Sequence, residues 1–379
     1  MNKLSGIIFS PEGLTEGSVY YDGGRITAVT HHPTDTGLFI APGFIDLHVH
    51  GGGGADFLDG TLQAWDTAAE MHASHGTAVL LPTTLTCPDS DLFAAFDIFR
   101  AAKKSSAYAN VFYGLHLEGP YFSVAQAGAQ DPKYLLKPTP EHYEKVLAAG
   151  RGCIARMSVA PELEGALALG RRLKEEGICA SVGHTDAIYE DVLAAVENGY
   201  THLTHFYSGM SALTRRHGYR FPGVIESGYM IDSLTVEVIA DGKHLPLSML
   251  NHVFRAKTPA KVALVTDAMR GAGQTEGKTI LGSLENGQEC YIEDGVAKMP
   301  GGEAFAGSIA TTDRLVRTAV AAGAELTDAV KMMSETPARI AGMKHKGVIA
   351  PGCDADFTVF TEGVSVCETV SGGKTVYKK

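Results

Sequence analysis

The sequence lacks most features that mark secreted, membrane-bound or nucleic-acid-binding chains. Its 379 residues include only six cysteines (Cys87, Cys153, Cys179, Cys290, Cys353 and Cys367), scattered and without a CxxC pair. That spacing excludes a disulfide framework and leads us to expect reduced thiols in a cytoplasmic protein. No apolar run is long enough to span a membrane. The opening stretch, MNKLSGIIFSPEGL, has neither the long apolar core nor the cleavage site of a signal peptide. Positive charge is also scarce: 32 Lys and Arg face 43 Asp and Glu, a formal net charge of −11. This argues against nucleic acid or an anionic membrane surface as partner. A small anion remains possible, because a few local cations and backbone amides can hold one. There is no low-complexity tract, no repeat beyond an alternation of strands and helices, and no GxGxxG turn after the first strand.

What is present is ordinary globular composition, 45% hydrophobic and 20% charged, with length for one large domain and a small one. Short alternating runs punctuated by Gly and Asp fill the first forty and last thirty residues, the pattern of small antiparallel strands. We expect residues 1–41 and 348–379 to form one small β-sandwich domain. Residues 42–347 change character. Eight strand candidates, GFIDLHVHG, TAVLLPTT, VFYGLHLEGP, CIARMSVAPE, ICASVGHTDA, YTHLTHFYS, LTVEVIADGKHL and KVALVTDAM, are mostly separated by helical stretches such as LQAWDTAAEMHASH, LFAAFDIFRAAKKSS and IYEDVLAAVENG. That alternation predicts an α/β fold, a (β/α)8 TIM-like barrel. A doubly wound open sheet is the rival, but lacks its phosphate-binding turn. The Gly/Pro-rich KMPGGEAFAGS reads either as an active-site loop or as a surface turn.

In IDLHVHGGGG, His48 and His50 are two apart at the end of an apolar strand, so they share a face. Paired imidazoles there suit a divalent transition metal, and also suit two hydrogen-bonded histidines at a strand end. The glycines that follow allow close backbone or substrate approach. Barrel chemistry sits at the C-terminal ends of strands. Glu118, His184, His205 and Asp267 recur at the ends of strands three, five, six and eight. Four imidazoles and two carboxylates suit zinc or iron better than Mg²⁺ or Ca²⁺. Glu118 is the carboxylate placed to bridge two ions. Asp267 is the candidate base toward a metal-bound water, and can later deliver a proton to a leaving amine. His72 and His75 read as packing or surface residues and His116 as a support beneath the ligands. His202, oddly spaced from His205, is not expected to be a ligand. His31, His32, His142, His252 and His345 carry no pattern.

The segments PGFIDLHVHG, HLEGP, GHTDA, ADGKHL, LVTDAM, FAGS and PGCDADFTVF, in this order, resemble the N-acetylglucosamine-6-phosphate deacetylase family of the amidohydrolase superfamily over nearly the whole chain. The resemblance implies a metal-dependent barrel with a small β-sandwich, hydrolysing the N-acetyl amide of an amino-sugar phosphate. It implies Glu118, His184 and His205 as principal metal ligands and His48 and His50 as ligands of a second ion, so one or two Zn or Fe ions per chain. It implies Asp267 as catalytic acid/base. Substrate contacts are implied at Ala129, Gln130, Ser208, Gly209, Arg216, His244, Phe305, Ala306 and Gly307, partly across a homodimer interface. Three segments depart from the family pattern. GAQ replaces GAH, so Gln130 stands where an imidazole is usual. FYSGM replaces FNAM, and the basic RRHGYRFPG, with Arg215, Arg216 and Arg220, is longer than usual. The alternatives are another amidohydrolase, such as a dihydroorotase, a hydantoinase or an N-acyl-amino-acid deacetylase, and a non-catalytic barrel. Cyclic-amide members use a carboxylated lysine on strand four, and CIARMSVAPE has none.

Overall fold

The computed structural model describes residues 1–302 and 304–379; Glu303, within the KMPGGEAFAGS segment, lies outside the described residues. Eight parallel strands follow one another in chain order around a barrel: Phe44–Val49, Thr77–Thr84, Leu115–Glu118, Ile154–Val159, Cys179–Val182, Tyr200–Leu203, Thr235–Ile239 and Val262–Val265. We number them one to eight. Helices including Leu62–Ser74, Asp89–Ser105, Pro140–Ala149, Ala166–Glu175, Tyr189–Glu197 and Leu247–Lys257 lie between them. Every residue of strands one and two is buried, as expected where helices cover one face of a parallel sheet and a packed interior fills the other. Strict polar–apolar alternation is therefore absent, and apolar length is the signal that remains.

Strand eight meets strand one at a seam of backbone bonds. Asp267 N donates to His48 O at 2.9 Å, and His50 N donates to Ala268 O at 2.8 Å. Thr266 Oγ1 adds a bond to the buried carboxylate of Asp46, at 2.5 Å. Burial pushes the Asp46 carboxyl up to about 7, against the lowering effect of its Thr266 bonds.

Local sequence explains the helix starts. Thr61 caps Leu62–Ser74 by accepting from Ala64 N, and Trp65, Ala68, Ala69 and His72 form its buried face. The second helix begins at Asp89, directly after Pro88, with Asp89 and Asp91 in its positive first turn.

Both chain ends build a separate seven-stranded sheet. The C-terminal strand Phe357–Thr361 pairs antiparallel with Phe39–Pro42, which runs parallel to Asn2–Ser10. Ile8, Val19, Ile40, Phe357 and Val370 share its core, so neither end completes that core alone. A three-stranded sheet, Gly277–Leu281, Gln288–Glu293 and Val296–Lys298, follows strand eight and carries its own small core. None of the described helices is long and apolar enough to cross a membrane.

Candidate active site

The glycines after His50 solve a packing problem. Gly51 and Gly52 pair with Ala55 and Asp56 in a tight hairpin folded against helix Leu62–Ser74. A Cβ on Gly51 would sit 2.2 Å from the carbonyl oxygen of Ala55, and Gly53 and Gly54 take the left-handed backbone that favours glycine.

His48 lies in strand one and His50 just past its end, while Glu118 is the last residue of strand three. His184, His205 and Asp267 each follow their strand by two residues. All three hold positive φ, at 46°, 29° and 48°, where L-residues are strained. Such backbone persists where surrounding bonds dictate it, and here it turns each side chain inward at the barrel mouth. Gly209, on the loop after strand six, packs against His184; a Cβ there would lie 3.0 Å from His184 Nδ1.

The imidazoles converge on Glu118. Its Oε1 lies 3.0 Å from His205 Nε2, 3.2 Å from His184 Nε2 and 3.3 Å from His48 Nε2. Its Oε2 lies 3.4 Å from His50 Nε2. Asp267 Oδ1 is 3.2 Å from His50 Nε2 and 3.4 Å from His48 Nε2. Three of the rings have Nδ1 against an oxygen: His48 against Glu237 Oε1 at 2.8 Å, His184 against the Gln126 carbonyl at 2.9 Å and His50 against the Thr83 carbonyl at 3.3 Å. A proton on each Nδ1 leaves a lone pair on Nε2. Yet His48 and His50 Nε2 are 3.2 Å apart, and His184 and His205 Nε2 are 3.0 Å apart. Facing nitrogens at that separation need a shared proton or a cation between them. The two groups His48–His50–Glu118 and Glu118–His184–His205, each with ligand atoms within 4.8 Å, therefore fit a divalent metal. Burial opposes ionisation of Glu118, but His48 and the histidine hydrogen bonds hold its carboxyl well below the ordinary range. Burial likewise opposes ionisation of Asp267, and His48 and His50 outweigh it.

Beneath the imidazoles lies a layer in which sequence reasoning singled out His116 but missed Glu237 and Arg156. Glu237, on strand seven and fully buried, takes His48 Nδ1–H and the backbone N–H of His205 on the same oxygen. Its other oxygen meets the guanidinium of Arg156 on strand four and His202 Nε2. Burial, and then the Arg156 charge, lower the pKa of His202 to about 4 and that of His116 well below its ordinary value. His116 bonds Ser158 Oγ at 2.8 Å and meets the His48 ring edge-on. His72 is buried against the Gly51 carbonyl. The available signal was a charge inside an apolar strand, as in TVEVI and IARMSV.

A cavity of about 220 Å³ opens above Glu118 and Asp267. Among the implied substrate contacts, Ala129, Gln130, Ser208, Gly209, His244, Phe305 and Gly307 line it. Ala306 is packed in the core of the three-stranded sheet. Arg216 lies on an exposed hairpin, Thr214–Arg216 with Tyr219–Phe221, and is not among the described residues that line the cavity. His244 is fixed by Asp241, whose Oδ2 is 2.8 Å from its Nδ1, and its ring packs on Phe305. No described lining residue is Arg or Lys.

A barrel with imidazoles and carboxylates gathered at the C-terminal strand ends defines a metal-dependent hydrolase. The chain belongs to the amidohydrolase family, whose model matches residues 39–376. It is 31% identical to the N-acetylglucosamine-6-phosphate deacetylase of Bacillus subtilis, over 98% of this chain and 95% of that one. It is 33% identical to the N-acetylgalactosamine-6-phosphate deacetylase of Escherichia coli O157:H7, over 86% and 85%. Its fold matches that of an N-acetyl-D-glucosamine-6-phosphate deacetylase variant from Mycobacterium smegmatis, solved in complex with N-acetyl-D-glucosamine-6-phosphate. The TM-score is 0.89, with 30% identity and 98% of both chains covered.

Proposed function

We propose that this enzyme hydrolyses the N-acetyl amide of N-acetylglucosamine 6-phosphate, giving glucosamine 6-phosphate and acetate. The observation that carries the reading is the convergence of four Nε2 atoms on Glu118, with Asp267 beside them, under a sugar-sized cavity. Glu118, His184 and His205 would hold one ion, and His48 and His50 with Glu118 would offer a place for a second. Nitrogen-rich ligation selects zinc or iron. When bound, the ion supplies Lewis acidity toward the amide carbonyl and toward water. Asp267 takes the proton of the attacking water as the new C–O bond forms. It returns a proton to the sugar nitrogen as the C–N bond breaks, so acetate and a free amine leave. Ala129, Ser208, Gly209, His244, Phe305 and Gly307 shape the substrate space.

A phosphate needs hydrogen-bond donors, and among the described lining residues outside the metal cluster His244 offers a ring nitrogen to one. Arg216, exposed on its hairpin, suits a phosphate presented across a homodimer interface, where its planar fork binds two oxygens. In this reading a small domain comprises 1–41 with 348–379, and the catalytic barrel comprises 42–347. Six free cysteines suit a cytoplasmic setting.

The test is kcat/KM on the metal-loaded protein for N-acetylglucosamine with and without its 6-phosphate. A desolvated charged contact is worth about 2–5 kcal/mol, so the ratio should exceed roughly thirtyfold, and Arg216→Ala should raise KM with little change in kcat. Equal efficiency on both sugars contradicts the reading. Preference for N-acetylgalactosamine 6-phosphate, the sugar named for the Escherichia coli relative, moves the specificity within the same reaction.

A further inference from the structure

Gln130 is buried, and both ends of its amide are engaged by the protein. Its Oε1 accepts from the backbone N–H of Thr86, 2.8 Å away, just beyond the end of strand two. Its Nε2 donates to Oε2 of Glu118 at 2.7 Å. The partners fix the amide's orientation: flipped, it would set NH2 against an N–H and oxygen against a carboxylate.

The Glu118 carboxylate is thereby divided. Oε1 faces His48, His184 and His205, while Oε2, 3.4 Å from His50 Nε2, also accepts from an amide anchored on the backbone just past strand two. The terminal torsion of a glutamate is broad, so an unclamped carboxylate swings between one-oxygen and two-oxygen approach. We propose that Gln130 is a positioning residue for Glu118. It fixes the carboxylate plane so that Oε1 is the oxygen offered to a metal held with His184 and His205. Thr86 is the backbone anchor of that clamp. The proposal rests on Glu118 being a metal ligand and is independent of which amide is cleaved. It also gives this chain's departure from the family's GAH pattern a role: the amide serves the metal carboxylate instead of the substrate carbonyl.

The experiment compares full-length wild type with Gln130→Met, which keeps the volume but has no hydrogen-bonding amide. Zinc affinity is read by competition with a chromogenic chelator, and ligand geometry by the visible absorption of the cobalt-loaded protein. Loss of an outer hydrogen bond to a metal ligand typically costs 10–100-fold in affinity, and that loss is expected here with a shifted cobalt band. At saturating metal, kcat should fall while KM stays within about twofold, since Gln130 acts through Glu118 although it also lines the cavity. If Gln130→Met does not fold, Gln130→Glu keeps an acceptor for Thr86 N and sets a repelling oxygen against Glu118. It too must shift the cobalt band. An unchanged zinc affinity and cobalt spectrum in a folded variant overturns the clamp. So does a raised KM with metal affinity intact, which makes Gln130 a substrate contact. Weakened metal binding in Gln130→Met, in a protein that deacetylates no sugar phosphate, supports the clamp and removes only the proposed substrate. Full metal retention in Glu118→Gln removes the ligand assignment beneath it.

Discussion

Asp267 Oδ1 lies 3.2 Å from His50 Nε2 across the seam where the last barrel strand meets the first. Its own backbone N–H is bonded to the carbonyl of His48, so the carboxylate is held relative to the histidine pair by main chain. It also lines the cavity. That position gives it access to both the metal cluster and a substrate amide.

Asp267→Asn should therefore keep bound metal and fold but lose about 10²–10⁴-fold in kcat, the usual worth of a general acid–base group. Asn cannot accept the proton or return it. Metal analysis and steady-state kinetics on the same preparation check this, and a variant within a few-fold of wild type removes Asp267 from proton transfer.

Glu237 is expected to matter for stability as well as for His48. It meets Arg156 within the barrel, and both side chains are essentially inaccessible. Removing one partner of such a pair leaves a buried charge uncompensated, at a cost of about 3–5 kcal/mol. Glu237→Gln should show that loss in urea unfolding, and the double variant Arg156→Met with Glu237→Gln should recover much of it. A single variant within about 0.5 kcal/mol of wild type would mean that the network does not stabilise the barrel.

The barrel and the candidate ligands were legible in the sequence for one reason. Parallel strands buried on both faces read as apolar runs, and the residue that ends such a run points at the mouth. Glu118, His184, His205 and Asp267 all follow that rule. Arg156 and Glu237 do not, because a charge inside a single strand normally reads as facing water. Only barrel closure shows that strands four and seven face each other across a dry interior. The engagement of Gln130 was hidden for a similar reason. Its partners, Thr86 and Glu118, belong to loops and strands that sequence order does not bring together. The hairpin that carries Arg216 could be read as basic, but its exposure is a property of the fold.

His72 supplies a pH dependence that lies outside the metal cluster. Burial, assisted by the nearby charge of His75, lowers its pKa to about 4 despite its bond to the Gly51 carbonyl. The unfolded value is about 6.5. A depressed folded pKa means that unfolded chains bind the proton more readily. The stabilisation is thus complete above about pH 6.5 and is lost as pH falls toward about 4, amounting to about 2 kcal/mol by pH 5. Urea unfolding at pH 7 and pH 5 should show a larger acid loss for wild type than for His72→Gln. Equal losses contradict a neutral buried His72.

Acetate release from N-acetylglucosamine 6-phosphate, before and after chelation, decides whether the Glu118–histidine cluster carries the reaction. Protein stripped by a strong chelator and dialysed should release almost no acetate. Adding back zinc or ferrous iron should restore release, while magnesium or calcium should not. Full release by metal-free protein, or none with any divalent metal, would contradict a hydrolase built on the Glu118–histidine cluster.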